Sequence, residues 1–168
     1  METTKIFVLS MLCIASLLFS GCSDDDGYEL DSRVPIVVDM ILVDENGNNL
    51  LTESNIDVAR KCVYLTDDGV DYRVDTVIYN PKQTFRSFQL PNGCYRLSFG
   101  VGACDCEDKT YIINYGDGNS DELKITVKDF FAEGALPTCQ VKINGEAQPA
   151  IKGSRLKLSL TPNYTWLK

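Results

Sequence analysis

Leu123-Lys124-Ile125-Thr126-Val127-Lys128 alternates apolar with polar side chains without a break. Successive side chains of a strand point to opposite faces, so Leu123, Ile125 and Val127 line a core while Lys124, Thr126 and Lys128 meet water. A helix would need apolar residues both three and four apart, and a strict alternation supplies no three-residue spacing. The same two-residue period recurs on either side. Upstream, Tyr95, Leu97, Phe99 and Val101 face one way, and Cys94, Arg96 and Ser98 the other. Downstream, Cys139, Val141 and Ile143 alternate with Gln140, Lys142 and Asn144, and Leu156, Leu158 and Leu160 with Lys157 and Ser159.

Turn residues punctuate these runs. Asp44-Glu45-Asn46-Gly47 ends an apolar strand in which Val34, Ile36, Val38, Met40 and Leu42 share one parity. The interleaved Val37, Ile41 and Val43 are apolar too, as in a strand buried on much of both faces. Strands are also expected at Cys62 to Thr66, Asp71 to Tyr79, Phe85 to Leu90 and Tyr111 to Tyr115. They are separated by Asp67-Asp68-Gly69, Asn80-Pro81, Pro91-Asn92-Gly93 and Gly116-Asp117-Gly118. A helical turn fits only in residues 52–61 and 129–136. The fold class is therefore all-β, an antiparallel sandwich of about eight to nine strands, with a barrel as the alternative.

Ahead of this body stands a different kind of sequence. Lys5 precedes an apolar run from Ile6 to Phe19, shorter than the roughly 20 residues that span a bilayer as a helix, so it reads as a secretory signal. Leu18-Phe19-Ser20-Gly21-Cys22 resembles a bacterial lipobox, with Phe19 where Leu is usual. That resemblance implies cleavage after Gly21 and a diacylglycerol on the Cys22 thiol. Ser23-Asp24-Asp25-Asp26 resembles the acidic surface-export signal that follows the anchor cysteine in Bacteroidota-type lipoproteins. The expected organisation is a signal peptide at 1–21, an acidic tether at 22–33 and a sandwich domain at 34–168.

Taken together, these motifs resemble the small surface lipoproteins of the Bacteroidota, with an immunoglobulin-like or transthyretin-like body. The resemblance implies an outer-membrane lipoprotein displayed at the surface. Its partners would be the membrane, through the lipid, and a glycan or a protein.

Charge and composition narrow the function. The chain has 16 basic and 24 acidic residues, a net charge of −8. In the tether Asp24, Asp25, Asp26, Glu29 and Asp31 outnumber Arg33 to leave −4, and Glu2 cancels Lys5, so the body also carries −4. A body of that sign does not suit nucleic acid. Histidine is absent, which excludes a Ser-His-Asp or Cys-His pair, a His-ligated zinc and an imidazole pH switch. No cofactor is expected. The leading expectation is a non-catalytic binding or adhesion module. The alternatives are a structural subunit or anchor of an envelope or pilus assembly, and, less favoured, a glycoside hydrolase working through carboxylates alone.

Several residues are candidates for chemistry or cross-linking. Cys62, Cys94, Cys104, Cys106 and Cys139 remain once Cys13 leaves with the signal and Cys22 carries lipid. Disulfides are permitted in an exported chain. Cys62 and Cys94 lie off the apolar parity of their strands and Cys139 lies on it, so the expected bridges are Cys62 to Cys94 and Cys139 to Cys104 or Cys106. The Cys-x-Cys pair has no second pair or histidine to complete a zinc site. Asp117, Asn119 and Asp121 space oxygens as the start of a calcium loop does, but Glu122 and Lys128 stand where an EF-hand needs Gly and Glu. Asn114 to Gly118 also resembles the Gly-Asp-Gly turn of PKD-type sandwich domains. Tyr164 and Trp166 offer aromatic faces for stacking on a sugar.

Overall fold

A computed structural model describes residues 35–76 and 83–162. All of these belong to one compact unit, Val34–Lys168. Among them the order is β1 (Ile36–Leu42), α1 (Ile56–Cys62), β2 (Tyr64–Asp67), β3 (Val70–Arg73), β4 (Phe85–Gln89), β5 (Tyr95–Gly102) and β6 (Cys106–Asn114). There follow β7 (Ser120–Lys128), β8 (Thr138–Ile143), β9 (Glu146–Ala147), β10 (Ile151–Lys152) and β11 (Arg155–Leu160).

The strands form two sheets, one four-stranded in the order β11-β1-β5-β4 and one seven-stranded in the order β10-β8-β7-β6-β2-β3, with β9 beside β8. Their inner faces share a single core that draws Val38, Leu97 and Leu156 from the first sheet and Leu65, Ile113 and Val141 from the second. The Phe99 ring crosses to meet that of Tyr111, centroids 4.7 Å apart. Such a tilted aromatic pair adds about 0.5–1.5 kcal/mol to the area it buries. The sheets do not close into a barrel. The fold is an all-β sandwich, as the two-residue period implies.

The inward positions of three strands bury as the alternation implies. Leu123, Ile125 and Val127 are buried, as are Leu97, Phe99 and Val101, and Leu156, Leu158 and Leu160. Turn chemistry is equally local. Asp68 and Gly69 both take positive φ, 49° and 76°, as the tight β2–β3 hairpin demands. Asp44 Oδ1 accepts from the backbone N–H of Asn46 and of Asn48, which folds the chain back at Gly47.

Three details depart from the sequence reading. The sandwich is not wholly antiparallel: β1 pairs in parallel with β11, Val37 opposite Arg155 through Leu42 opposite Leu160. Parallel neighbours need a long crossover, and here the rest of the body supplies it. The described residues also hold eleven strands rather than eight or nine, because β9 and β10 are two-residue pieces at the end of the larger sheet.

Beyond the turn at Gly47 the chain forms no strand of its own before α1. Only Val43 and Asn49 bridge before Asn55, accepting from the Thr52 N–H and donating to the Leu50 carbonyl, turns the chain into α1. The expected strand from Cys62 to Thr66 consequently begins at Tyr64, and Cys62 ends the helix.

Candidate functional site

The outward face of the four-stranded sheet collects charge. Strand register places Arg86 opposite Ser98, Ser98 opposite Asp39, and Asp39 opposite Lys157, one row across all four strands. Phe88 and Arg96 face each other one pleat along, and Arg155 stands opposite Val37. Four cations and one carboxylate, net +3, thus share a face of a body whose overall charge is −4.

Asp39 is the unusual member. It points away from the core on β1, yet it is only 5% exposed. Burying a carboxylate is costly unless it is paired, and this one is held by three side chains. The Ser98 hydroxyl donates to Oδ1 at 2.7 Å. Oδ2 has Arg155 Nε at 3.3 Å and Arg96 Nη1 at 3.5 Å but accepts no hydrogen bond. The Arg96 guanidinium also lies over the Phe88 ring, 5.3 Å from its centroid, and its Nε is buried without an acceptor. A pocket of about 240 Å³ opens here between Asp39, Ile41, Leu90, Arg96, Lys157 and Ser159.

A second pocket, about 310 Å³, lies at the end of α1 and takes in Cys62, Lys61, Tyr64, Arg73 and the β6–β7 turn at Gly116 and Asn119. Arg73 donates to the Lys61 carbonyl and stacks on Tyr64, centroid 5.8 Å away. Gly116 packs so tightly on Cys62 that a Cβ there would stand 2.8 Å from the Cys62 carbonyl oxygen.

The residues singled out in the sequence distribute as follows. Asp117 Oδ1 accepts from the Asn119 N–H, an internal turn bond. The Asp121 carboxylate accepts from the Tyr115 hydroxyl at 2.6 Å and from Asn144 Nδ2 at 2.7 Å. Their oxygens thus serve the hairpin and its neighbour. Among the described residues no group of three or more Cys, Asp or Glu could hold a metal ion. Cys22, Gly21, Ser23, Asp24, Asp25 and Asp26, together with Tyr164 and Trp166, lie outside the described residues.

The expected disulfides are not formed: Cys62, Cys94, Cys104, Cys106 and Cys139 are all free thiols. For one pairing the reason is plain geometry. Cys106 and Cys139 both lie opposite Val127, on either side of it, two strand spacings or about 9–10 Å apart. A disulfide tolerates Cα atoms no more than about 7 Å apart. Cys62 and Cys94 lose the premise of their pairing, because Cys62 ends a helix and Cys94 precedes β5. Burial pushes the thiols of Cys106 and Cys139 up, away from the reactive thiolate.

Sequence reasoning passed over Asp39. The signal was a lone acid inside the otherwise apolar run from Val37 to Val43, where a charge must find partners if the strand is buried. Comparison with known protein families, with characterised proteins and with solved structures finds no match.

Proposed function

We propose that this protein is a lipid-anchored lipoprotein of the outer-membrane surface, acting as a non-catalytic binding module, and that it meets its ligand with the outward face of the four-stranded sheet. The observation that carries the reading is Asp39. A buried carboxylate held by Ser98, Arg96 and Arg155, beside a pocket rimmed by Arg96 and Lys157, is more than a sandwich needs for stability. Exposed sheet faces are ordinarily solvated by scattered side chains rather than built around a buried ion pair.

Localisation rests on the lipobox-like Leu18 to Cys22 and on the acidic run behind it. The reading against catalysis rests on side-chain chemistry. Glycoside hydrolases use two carboxyl groups about 5–10 Å apart on either side of one bond. Among the described residues the buried carboxylates, Asp39 and Asp67, belong to different sheets. Asp39 faces outward beside Lys157, whereas Asp67 shares the inward parity of Leu65.

The test uses the native protein extracted from membranes in detergent. Intact mass should show a diacylglyceryl adduct on Cys22, and a glycan array should show selective binding without turnover. An unlipidated Cys22 refutes the anchor. Binding to no glycan, with a stoichiometric protein partner co-purifying, would favour the structural-subunit alternative.

A further inference from the structure

We propose that the end of the sandwich where the chain enters at Pro35 docks on the lipid surface, with Phe131 and Leu136 of the β7–β8 loop inserted among the headgroups beside the lipid on Cys22. This rests on the lipid-anchor reading and adds to it a contact that orients the body. Phe131 and Leu136 are the two most exposed large apolar side chains among the described residues, 50% and 66%. They bracket Ala132, Glu133, Gly134 and Ala135, all exposed, so the stretch shows a single charge to water. Exposed apolar residues gathered in one loop, rather than scattered singly, mark a surface that meets a membrane or a partner. Phenylalanine and leucine are side chains that suit the boundary between headgroups and acyl chains.

The base of the loop is fixed to the body on both sides. Phe130 is buried, its N–H donates to Asp105 Oδ1 in the β5–β6 connection at 2.9 Å, and its ring meets that of Phe131 edge-on, centroids 5.1 Å apart. On the other side the Gly153 N–H donates to the Pro137 carbonyl at 2.8 Å, which ties the loop to the β10–β11 connection. Between them the Ala132 N–H donates to the Asp129 carbonyl. The loop is thus ordered by the fold before it meets a bilayer, and insertion has less freedom to remove.

Topology and charge say why lipid is the occupant. Ile36 lies opposite Gly102, Cys106 opposite Val127, and Lys128 opposite Thr138, so Pro35, the β5–β6 connection and the β7–β8 loop share one end of the strands. The chain from Cys22 to Pro35 spans at most about 45 Å when fully extended, so a lipid on Cys22 keeps this end close to the bilayer. Segments 103–105, 128–137 and 152–155 at this end carry Asp105, Asp129 and Glu133 against Lys128, Lys152 and Arg155, net zero. The β2–β3 hairpin with Asp68 stops short of it, at the level of Tyr111 on β6. At the opposite end, segments 43–55, 90–94, 115–119 and 144–145 carry Asp44, Glu45, Glu53 and Asp117 and no lysine or arginine, net −4. A membrane surface with anionic headgroups repels the acidic end and not the neutral one.

The experiment uses the full-length protein, purified from membranes in detergent, reconstituted into phosphatidylethanolamine and phosphatidylcholine vesicles and recovered by flotation. The vesicles are made with and without brominated acyl chains, which quench tryptophan emission on contact. The probes are Phe131→Trp and, as a control, Val58→Trp on α1, which packs through Cys62 on the far-end turn at Gly116. Val58 is 43% exposed, comparable with Phe131, so both variants keep the fold, which circular dichroism verifies. Emission is read against the unsubstituted protein, which already carries Trp166. The expected result is a blue shift and loss of most of the added emission to bromine at position 131, with neither at position 58. Adding Leu136→Ser to the Phe131→Trp chain should reduce the quenching.

Floated protein with no quenching at position 131 would overturn the inference and leave the lipid anchor standing. So would equal quenching at both positions, which would mean that the body meets the bilayer with no preferred end. A blue shift at position 131 without quenching would also overturn it, because a second copy or another protein would then cover the loop. Protein that does not float with the vesicles would overturn both readings.

Discussion

Ser98 donates its hydroxyl to Asp39 across the β1–β5 pair at 2.7 Å, on the side of the sheet that faces away from the core. The two are 7% and 5% exposed, so a polar pair is enclosed where solvated side chains are the rule. Arg96 and Arg155 make the enclosure, and each remains in contact with water, 27% and 56% exposed.

That arrangement sets the response to mutation. Asp39→Ala takes the acceptor from Ser98 and the counter-charge from both arginines. An enclosed ion pair broken in this way costs roughly 3–5 kcal/mol, but hydrated arginines lose less, so about 1–2 kcal/mol is expected. Asp39→Asn keeps an acceptor for Ser98 and should cost about half as much. Urea denaturation of the two variants measures the difference.

A second network gives a pH dependence. Burial alone would raise the Asp75 carboxyl, but hydrogen bonds from the Ser87 hydroxyl and N–H and from Arg60 outweigh it and hold it below the usual carboxylate value. The unfolded chain then binds the proton more readily than the native one. This contribution is complete above the ordinary carboxylate range and is lost as pH falls through the lowered value. The melting temperature should fall on acidification, and less steeply in Asp75→Asn, whose melting temperature at neutral pH should already be lower.

The thiols respond at the other end of the scale. Burial, and secondarily Cys106, raise the Cys139 thiol, so the native state keeps its proton after the unfolded chain has lost one. Stability therefore falls as pH rises above the ordinary thiol range. At neutral pH, alkylation should reach Cys139 last, because it is 0% exposed. Non-reducing digestion should yield no peptide joining Cys106 to Cys139. Such a peptide from the folded protein would contradict the β6–β7–β8 register.

Two glycines separated by one residue in the β6–β7 connection distinguish backbone strain from crowding. Gly116 and Gly118 have φ of 82° and 88°, a region costly to side chains, but only at Gly116 would a Cβ strike the Cys62 backbone. Gly118→Ala should cost about 1 kcal/mol and Gly116→Ala about 2–3 kcal/mol, read from thermal or urea unfolding.

How much of this was legible follows from the range of the forces involved. Residues 52–61 read as able to hold a helical turn, and α1 lies at Ile56–Cys62, shifted because Asn55 and its bonds to Thr52 and Leu50 set where it starts. Cys139 was placed on the apolar face, where it is buried, but its partners were not, since parity reports which way a side chain points and not which strand lies beside it. Asp39 stands out as a lone acid in an apolar run, but its partners are hidden for the same reason. Nothing near it in the chain carries Ser98, Arg96 or Lys157.

By itself the sequence determined most of the longer strands, their inward faces and several of the turns between them, because a two-residue period and residues such as Asp68 and Gly69 act over a few bonds. It also determined the class, since many half-apolar strands bury their faces only against another sheet. Tertiary structure alone decided that the last strand runs parallel to the first. That pairing carries Arg155 and Lys157 across the whole body to stand beside Asp39 and makes one charged pocket out of scattered surface residues. Long-range pairing is chosen by the fit of the entire core, and no local stretch of sequence contains it.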